Sequence, residues 1–209
     1  MSSESSANRG LLLVVASAAA LAIGVLAAFW LQTPATVALQ SGTMLPQPRA
    51  LGEFRAVDQD GAAGSRSRFE GRWTVVFPGF TSCPDVCPTT LALLKNVQAG
   101  LGDDAGKLRV VFLSVDPERD TPARLKSYVQ YFDPSFEALV AEPEQLKTLA
   151  QMLGVAYAKV PGATPETYTM DHSAALIVLD PQARIVGYLT PPFDSAKLIA
   201  DLRAIIDRS

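Results

Sequence analysis

The stretch RWTVVFPGFTSCPDVCPTT, residues Arg72–Thr90, contains the pattern that decides the fold. Its first part, WTVVF, is rich in β-branched and aromatic residues and predicts a buried strand. Its last part opens the apolar-periodic segment TTLALLKNVQAGLG, which predicts a helix that starts near Pro88. The two cysteines of the chain, Cys83 and Cys87, lie between these elements. They therefore lie at the carboxyl end of a strand, where open α/β sheets place their functional sites.

Strands and helices continue to alternate towards the C-terminus. KLRVVFLSVD and FEALVA predict strands, and Thr121 is the predicted N-cap of a helix whose first residue is Pro122. The helix PEQLKTLAQMLG ends at Gly154. AALIVLDPQARIVGYL predicts two strands joined by a turn, and DSAKLIADLRAIIDR predicts a final amphipathic helix. This order predicts an α/β fold with a sheet flanked by helices, and it resembles the thioredoxin-like fold.

The composition limits the partners of the chain. Its 209 residues leave room for one membrane segment and one globular domain. The formal net charge is -3, which does not indicate a nucleic-acid-binding protein, because such proteins carry a basic patch. We divide the chain into a cytoplasmic N-terminus at residues 1–10, a transmembrane anchor at 11–31, a linker at 32–50 and a folded domain at 51–209.

Residues 11–31, LLLVVASAAALAIGVLAAFWL, contain no charged residue. About 20 apolar residues can cross a bilayer as a helix, whereas the apolar region of a cleaved signal peptide, the alternative, is about 7–15 residues long. Arg9 precedes the segment and no Lys or Arg follows before Arg49, so the positive-inside rule leaves the domain outside the cytoplasm. The first ten residues, MSSESSANRG, lack the Arg-rich, acid-poor composition of a mitochondrial presequence. We therefore expect a single-pass protein of a bacterial inner membrane with its domain in the periplasm.

Cys83 and Cys87 are four residues apart, which places both side chains on one face of a helical turn. The sequence leaves three interpretations of this pair open. A structural disulfide is usual outside the cytoplasm, but so short a loop contributes little chain entropy to stability. A thiol–disulfide enzyme usually has one residue fewer between its cysteines, and it has a cis-proline where this chain has Asp171-His172-Ser173. The third interpretation is a metal site, since a nearby helix N-terminus favours the thiolates that bind metal.

A metal site requires a further ligand, and His172 is the only histidine of the chain. A single histidine is more commonly a surface residue or a hydrogen-bonded core residue. This one directly precedes SAALIVLD, a predicted strand that a thioredoxin-like fold would bring against the cysteine loop. Two thiolates and one imidazole suit Cu(I), and also Cu(II) when an oxygen ligand or water is added. A structural zinc site would require a fourth protein ligand.

Three motifs together resemble the signatures of the SCO/SenC family: FTSCPDVCP, SVDPERDTP (Ser114–Pro122) and YTMDHS (Tyr168–Ser173). Proteins of this family are membrane-anchored, thioredoxin-like copper proteins that take part in assembling the CuA centre of cytochrome c oxidase. The resemblance extends from about Leu51 to the C-terminus, and it agrees with the expected anchor.

The resemblance implies roles for individual residues. Cys83, Cys87 and His172 would be the copper ligands. Asp85 and Asp171 lie inside the motifs, where they would either orient the ligands or make loop hydrogen bonds.

The charged residues of the DPERDT segment include no thiol or imidazole. We interpret Asp116, Arg119 and Asp120 as loop and cap structure or as a partner surface, rather than as ligands.

The sequence thus predicts a metallochaperone that binds copper, as Cu(I), Cu(II) or both, and needs no catalysed turnover. Its expected partners are the copper-bearing subunit of cytochrome c oxidase and another copper chaperone. The alternative is a thiol–disulfide reductase, in which Cys83 and Cys87 form a redox disulfide and keep the cysteines of the oxidase copper site reduced. One dithiol can perform both roles.

Overall fold

The computed structural model describes residues 4–31, 38–164 and 167–207. The chain divides into two compact units, with the boundary between residues 36 and 37. The first contains the helix α1 (Glu4–Leu31), of which the side chains of residues 12–26 are described. Within the described residues, no helix is both long and apolar enough to cross a membrane. The predicted anchor at 11–31 includes side chains outside the described residues, and membrane insertion stays a prediction.

The second unit contains two sheets. The strands of the larger sheet are β1 (Gly42–Ala50), β2 (Ala56–Asp58), β3 (Ala63–Gly64), β4 (Trp73–Gly79), β5 (Leu108–Ser114), β6 (Glu137–Val140), β9 (Leu176–Leu179) and β10 (Arg184–Leu189). Their spatial order is β1-β10-β9-β4-β5-β6-β2-β3, and β4, β5 and β6 are parallel to one another. The smaller sheet is an antiparallel hairpin of β7 (Tyr157–Pro161) and β8 (Tyr168–His172).

The helices of this unit are α2 (Val86–Leu101), α3 (Pro122–Phe132), α4 (Pro143–Leu153) and α5 (Ser195–Ile206). Their ends confirm the predicted caps. The Thr121 hydroxyl accepts a hydrogen bond from the backbone N–H of Arg124, which opens α3. Gly154 adopts the left-handed conformation that closes α4.

The central strands β4 and β9 of the larger sheet are buried on both faces, as the apolar run of β4 predicts. Val75 and Phe77 of β4 pack into the cluster that contains the apolar faces of α2, α3 and α5. Val76, which points the other way, packs into the cluster that contains α4 and the segment around Phe54. The α/β class, a sheet flanked by helices, is therefore confirmed.

The N-terminal border of the domain differs from the prediction. β1 pairs with β10 from Gly42, opposite Leu189, to Ala50, opposite Arg184. The folded domain therefore begins before residue 51, and residues 42–50 belong to the sheet rather than to the predicted linker at 32–50. Two prolines in GTMLPQPRA concealed this strand. They are tolerated because β1 lies at the edge of the sheet and its register shifts between residues 44 and 49.

A buried carboxylate fastens the start of β1 to α5. Asp201 is 3% exposed and accepts hydrogen bonds from the backbone N–H groups of Gln40, at 2.9 Å, and Ser41, at 2.8 Å. Without this carboxylate, both donors lose their acceptor beside the core.

We predict that Asp201→Ala lowers the free energy of unfolding by about 1–3 kcal/mol, the usual cost of leaving buried polar groups unsatisfied. Urea denaturation of the full-length protein measures this change. Asp103→Ala, at an exposed position, is the matched control and should leave stability nearly unchanged. Equal stabilities of the two variants would contradict the role given to Asp201.

Candidate metal centre

The cysteine loop begins where β4 ends, and a buried carboxylate holds its first residues. Asp120 is 1% exposed. It accepts hydrogen bonds from the backbone N–H of Thr81 at 3.1 Å and from the Thr81 hydroxyl at 2.5 Å. It also accepts one at 2.7 Å from the hydroxyl of Ser114, the last residue of β5. The start of the loop is therefore fixed to the carboxyl ends of β4 and β5.

Cys87 lies in the first turn of α2 and is completely buried, with 0% exposure. Gly79, the last residue of β4, leaves space for its sulfur. A Cβ atom at Gly79 would lie 2.6 Å from the Phe112 ring and 3.0 Å from Cys87 Sγ. A larger residue at the end of β4 would therefore displace the thiol.

The helix α2 begins at Val86, slightly earlier than the predicted start near Pro88. Pro88 is thus its third residue. The first four N–H groups of a helix have no intrahelical acceptor, so the missing N–H of proline removes no bond here. The carbonyl against which the ring would clash belongs to a residue before the helix.

Cys83 lies beside this turn and is partly exposed. Its Sγ accepts a hydrogen bond of 3.4 Å from the backbone N–H of Cys87. Both cysteines are free thiols in the structure. The spacing of four residues therefore brings the two cysteines together, with Cys83 in the loop and Cys87 in the first turn of α2.

His172, the last residue of β8, lies against Cys87. Its Nε2 is 3.8 Å from Cys87 Sγ, and its Nδ1 is 3.0 Å from the carbonyl oxygen of Ser173. Because a carbonyl can only accept, Nδ1 is the donor to Ser173, and in the neutral ring Nε2 then directs its lone pair at the sulfur. The Phe80 ring packs against the imidazole at 87°, with 5.9 Å between the ring centroids.

Burial raises the pKa of the Cys87 thiol far above its ordinary value, because a thiolate would lose its solvation. A hydrogen bond from the backbone at Phe80 opposes this shift, whereas Cys83 and the charge of Asp120 add to it. The expectation that the helix N-terminus favours a thiolate therefore fails at Cys87, where desolvation outweighs it. A metal ion that binds this sulfur has to displace the proton.

The facing donors fit one soft metal ion in their chemistry and their spacing. Bond lengths of about 2.1 Å to imidazole nitrogen and about 2.3 Å to thiolate sulfur allow two donors of one ion to lie up to about 4.4 Å apart. The 3.8 Å between Cys87 and His172 is within this limit. In the part of the chain that the structure describes, no group of three or more His, Cys, Asp or Glu side chains is already arranged to hold a metal. Cys83 therefore lies beside the Cys87–His172 pair but does not form a three-donor group with it.

The two aspartates of the motifs lie at the surface. The Asp85 carboxylate accepts a hydrogen bond of 3.3 Å from the Thr89 hydroxyl, which is the loop hydrogen bonding considered for it. Asp171 is exposed, and its side chain points away from the strand face of its neighbour His172.

The DPERDT segment makes internal contacts, as the loop interpretation predicted. Asp116, whose side chain is 2% exposed, forms an ion pair with Arg119. It also accepts a hydrogen bond of 2.8 Å from the hydroxyl of Tyr168, the first residue of β8. The contact with β8 was not predicted.

The hairpin itself was missed. Tyr168, Met170 and His172 are partly buried and alternate with the exposed Thr169 and Asp171, which is the period of a strand. This signal covers only five residues and stands beside a segment rich in proline, glycine and threonine. Such flanks indicate a loop rather than a hairpin.

Similar proteins share this fold. The structure of ScoI from Bradyrhizobium japonicum with copper bound is 38% identical, with a TM-score of 0.68 over 74% of this chain and 98% of that chain. The solution structure of apo Sco1 from Thermus thermophilus is 35% identical, with a TM-score of 0.72 over 82% of this chain and 99% of that chain. An SCO2-like protein of Rickettsia conorii is 34% identical over 138 residues, which are 66% of this chain and 67% of that protein. These similarities confirm the predicted thioredoxin-like fold.

The family model of SCO1/SenC matches residues 42–207. This range begins at the first residue of β1 and contains the cysteine loop, the DPERDT segment and the hairpin that carries His172. The chain belongs to the SCO1/SenC family.

Proposed function

We propose that this protein is a copper metallochaperone that holds its cargo with Cys83, Cys87 and His172. The observation that carries the proposal is the 3.8 Å contact between Cys87 Sγ and His172 Nε2, where a buried sulfur faces an imidazole lone pair. Copper as the cargo is supported by the copper-bound ScoI structure, which is 38% identical to this chain.

The three donors have different roles in this proposal. Two thiolates are sufficient for Cu(I), and Nε2 of His172 with an added water or oxygen ligand suits Cu(II). Cys83, the partly exposed thiol, is the donor that an incoming ion meets first. The bond from Nδ1 to the Ser173 carbonyl orients the ring, as hydrogen bonds to the second nitrogen commonly do in metal sites.

Membership of the SCO1/SenC family supports the identity of the partners that we propose for this protein. We infer that the recipient is the copper-bearing subunit of cytochrome c oxidase, whose CuA centre is matured, and that another copper chaperone supplies the ion. The support is the family match over residues 42–207.

A thiol–disulfide reductase is the second candidate function. It is favoured by two neighbouring free thiols, of which Cys83 is partly exposed and can therefore attack a disulfide. In this role the pair would reduce the cysteines of the oxidase copper site and itself become a disulfide. His172 would then not be required as a ligand.

We also propose that residues 11–31 anchor the protein in a bacterial inner membrane with the domain in the periplasm. The support is the sequence: this segment lacks charge and has the length of a membrane-spanning helix.

The ligand set predicts unequal effects of substitution. Cys83→Ser and Cys87→Ser should each abolish tight copper binding, because a hydroxyl is neither soft nor ionised at neutral pH. His172→Ala should weaken Cu(II) binding by more than the roughly 10- to 100-fold that loss of an outer-sphere partner causes, and weaken Cu(I) binding less. Competition titrations of the reduced full-length protein measure both affinities. Thr169→Ala, exposed on the same strand, is the control, and a His172→Ala variant that matched it for both ions would remove His172 from the site.

A second experiment separates the two functions. His172→Ala should lose oxidase maturation in cells while the purified protein keeps most of its ability to reduce a small-molecule disulfide, since exchange needs only the thiols. Cys83→Ser should lose both. If the His172→Ala strain matured the oxidase normally, the result would contradict the chaperone function and support the reductase function.

The membrane placement is tested with a reporter that is active only after export, fused behind Ser209. We expect an active reporter that remains in the membrane fraction. A soluble periplasmic protein with a new N-terminus near Ala20 would instead identify residues 11–31 as a cleaved signal peptide.

A further inference from the structure

The strand that carries His172 is not part of the larger sheet. β7 and β8 pair only with each other within the described residues. An isolated two-stranded hairpin is marginally stable in water. Because the position of His172 depends on this hairpin, the contacts between the hairpin and the domain decide where Nε2 lies.

One face of β8 points at the domain. Tyr168, Met170 and His172 share this face, since side chains two residues apart lie on the same side of a strand. Met170 packs against the core cluster of α2, α3 and α5. Tyr168, at the other end of the strand from His172, makes the polar contacts.

Arg119 contacts Tyr168 at two places, the ring and the backbone carbonyl. Its guanidinium carbon lies 3.7 Å from the centroid of the Tyr168 ring, and its Nη1 donates to the Tyr168 carbonyl at 3.0 Å. Asp116 completes the group, because it pairs with Arg119 and accepts the Tyr168 hydroxyl at 2.8 Å. We call these three residues the Arg119 clasp. Burial and the bond to Asp116 raise the pKa of Tyr168 to about 12, so its hydroxyl stays a donor at physiological pH.

The same guanidinium also contacts the aromatic ring that packs against the imidazole. Its carbon lies 5.7 Å from the centroid of the Phe80 ring, and Phe80 packs edge-on against His172. Arg119 therefore contacts the first residue of β8 and the aromatic ring that borders its last residue. The side chain of Arg119 is only 26% exposed, which fits an internal connector better than a partner surface.

We propose that Arg119, through the clasp, is a positioning residue that sets His172 against Cys87 for copper binding. This inference rests on the proposed ligand set and adds Asp116, Arg119 and Tyr168 to it as residues that act without touching the metal. Weakening the clasp should therefore reduce the binding that depends on imidazole, namely that of Cu(II), and spare the binding of Cu(I) by two thiolates.

A double-mutant cycle on the full-length protein tests the proposal. Arg119→Met should lower Cu(II) affinity about 10- to 100-fold, the usual effect of losing an outer-sphere partner, and should lower it no further in a chain that already carries His172→Ala. Arg203→Met is the matched control. Arg203 lies on α5, and its guanidinium also donates to a backbone carbonyl, that of Gly100. An equal loss in both backgrounds, or no loss in the wild-type background, would overturn the proposal.

A second variant and a second measurement cover the case in which Arg119→Met is unstable because Asp116 loses its partner. Tyr168→Leu removes the ring and leaves the Asp116–Arg119 pair intact, and it should give the same selective loss of Cu(II) binding. Hydrogen exchange of the metal-free protein should show faster exchange in β7 and β8 in either variant, with β4 and β5 unchanged.

The two proposals fail in different ways. If His172→Ala alone bound Cu(II) as the wild type does, the ligand set would be wrong. The proposal that Arg119 positions His172 for copper would then be wrong as well. If His172→Ala lost Cu(II) binding but both clasp variants kept it, the ligand set would stand and the clasp would be wrong. Unchanged exchange of the hairpin would also contradict the clasp.

Discussion

The site depends on one contact between segments that are 85 residues apart in the sequence, Cys87 Sγ against His172 Nε2. Each side of this contact has its own support. On the cysteine side, Gly79 leaves space for the sulfur and Asp120 fixes the start of the loop. On the histidine side, Ser173 sets the tautomer, and the hairpin sets the position of the ring. The chemistry follows from holding a soft sulfur and an imidazole lone pair within the reach of one ion.

The two thiols occupy different environments, and this difference is suited to a protein that receives and releases a metal. Cys87 is completely buried and its raised pKa keeps it protonated, so binding of a metal is coupled to release of a proton. Cys83, by contrast, is partly exposed.

The sequence was informative wherever local chemistry determined the structure. The apolar run of β4, the cap at Thr121 and the closing Gly154 follow from short-range rules and were predicted correctly. The cysteine spacing and the single histidine indicated the donors that we propose, and the structure brings Cys87 and His172 together. By contrast, β1 contains two prolines and exists because of its pairing with β10, a partner remote in the sequence. The pKa of Cys87 was misjudged for the same reason, since burial by the rest of the chain is not visible in a local motif. Arg119 was interpreted as loop and cap structure or as a partner surface, and its contact with Tyr168 became visible only in the fold.

X-ray absorption at the copper edge tests the central claim most directly, because it counts the donor atoms of the bound ion. We predict that the reduced full-length protein with one equivalent of Cu(II) shows two sulfur atoms and one imidazole nitrogen, with any remaining ligand an oxygen. The Cu(I) form should retain both sulfurs. A copper ion surrounded only by nitrogen and oxygen, or one with sulfur but no imidazole in the Cu(II) form, would contradict a site built on Cys83, Cys87 and His172.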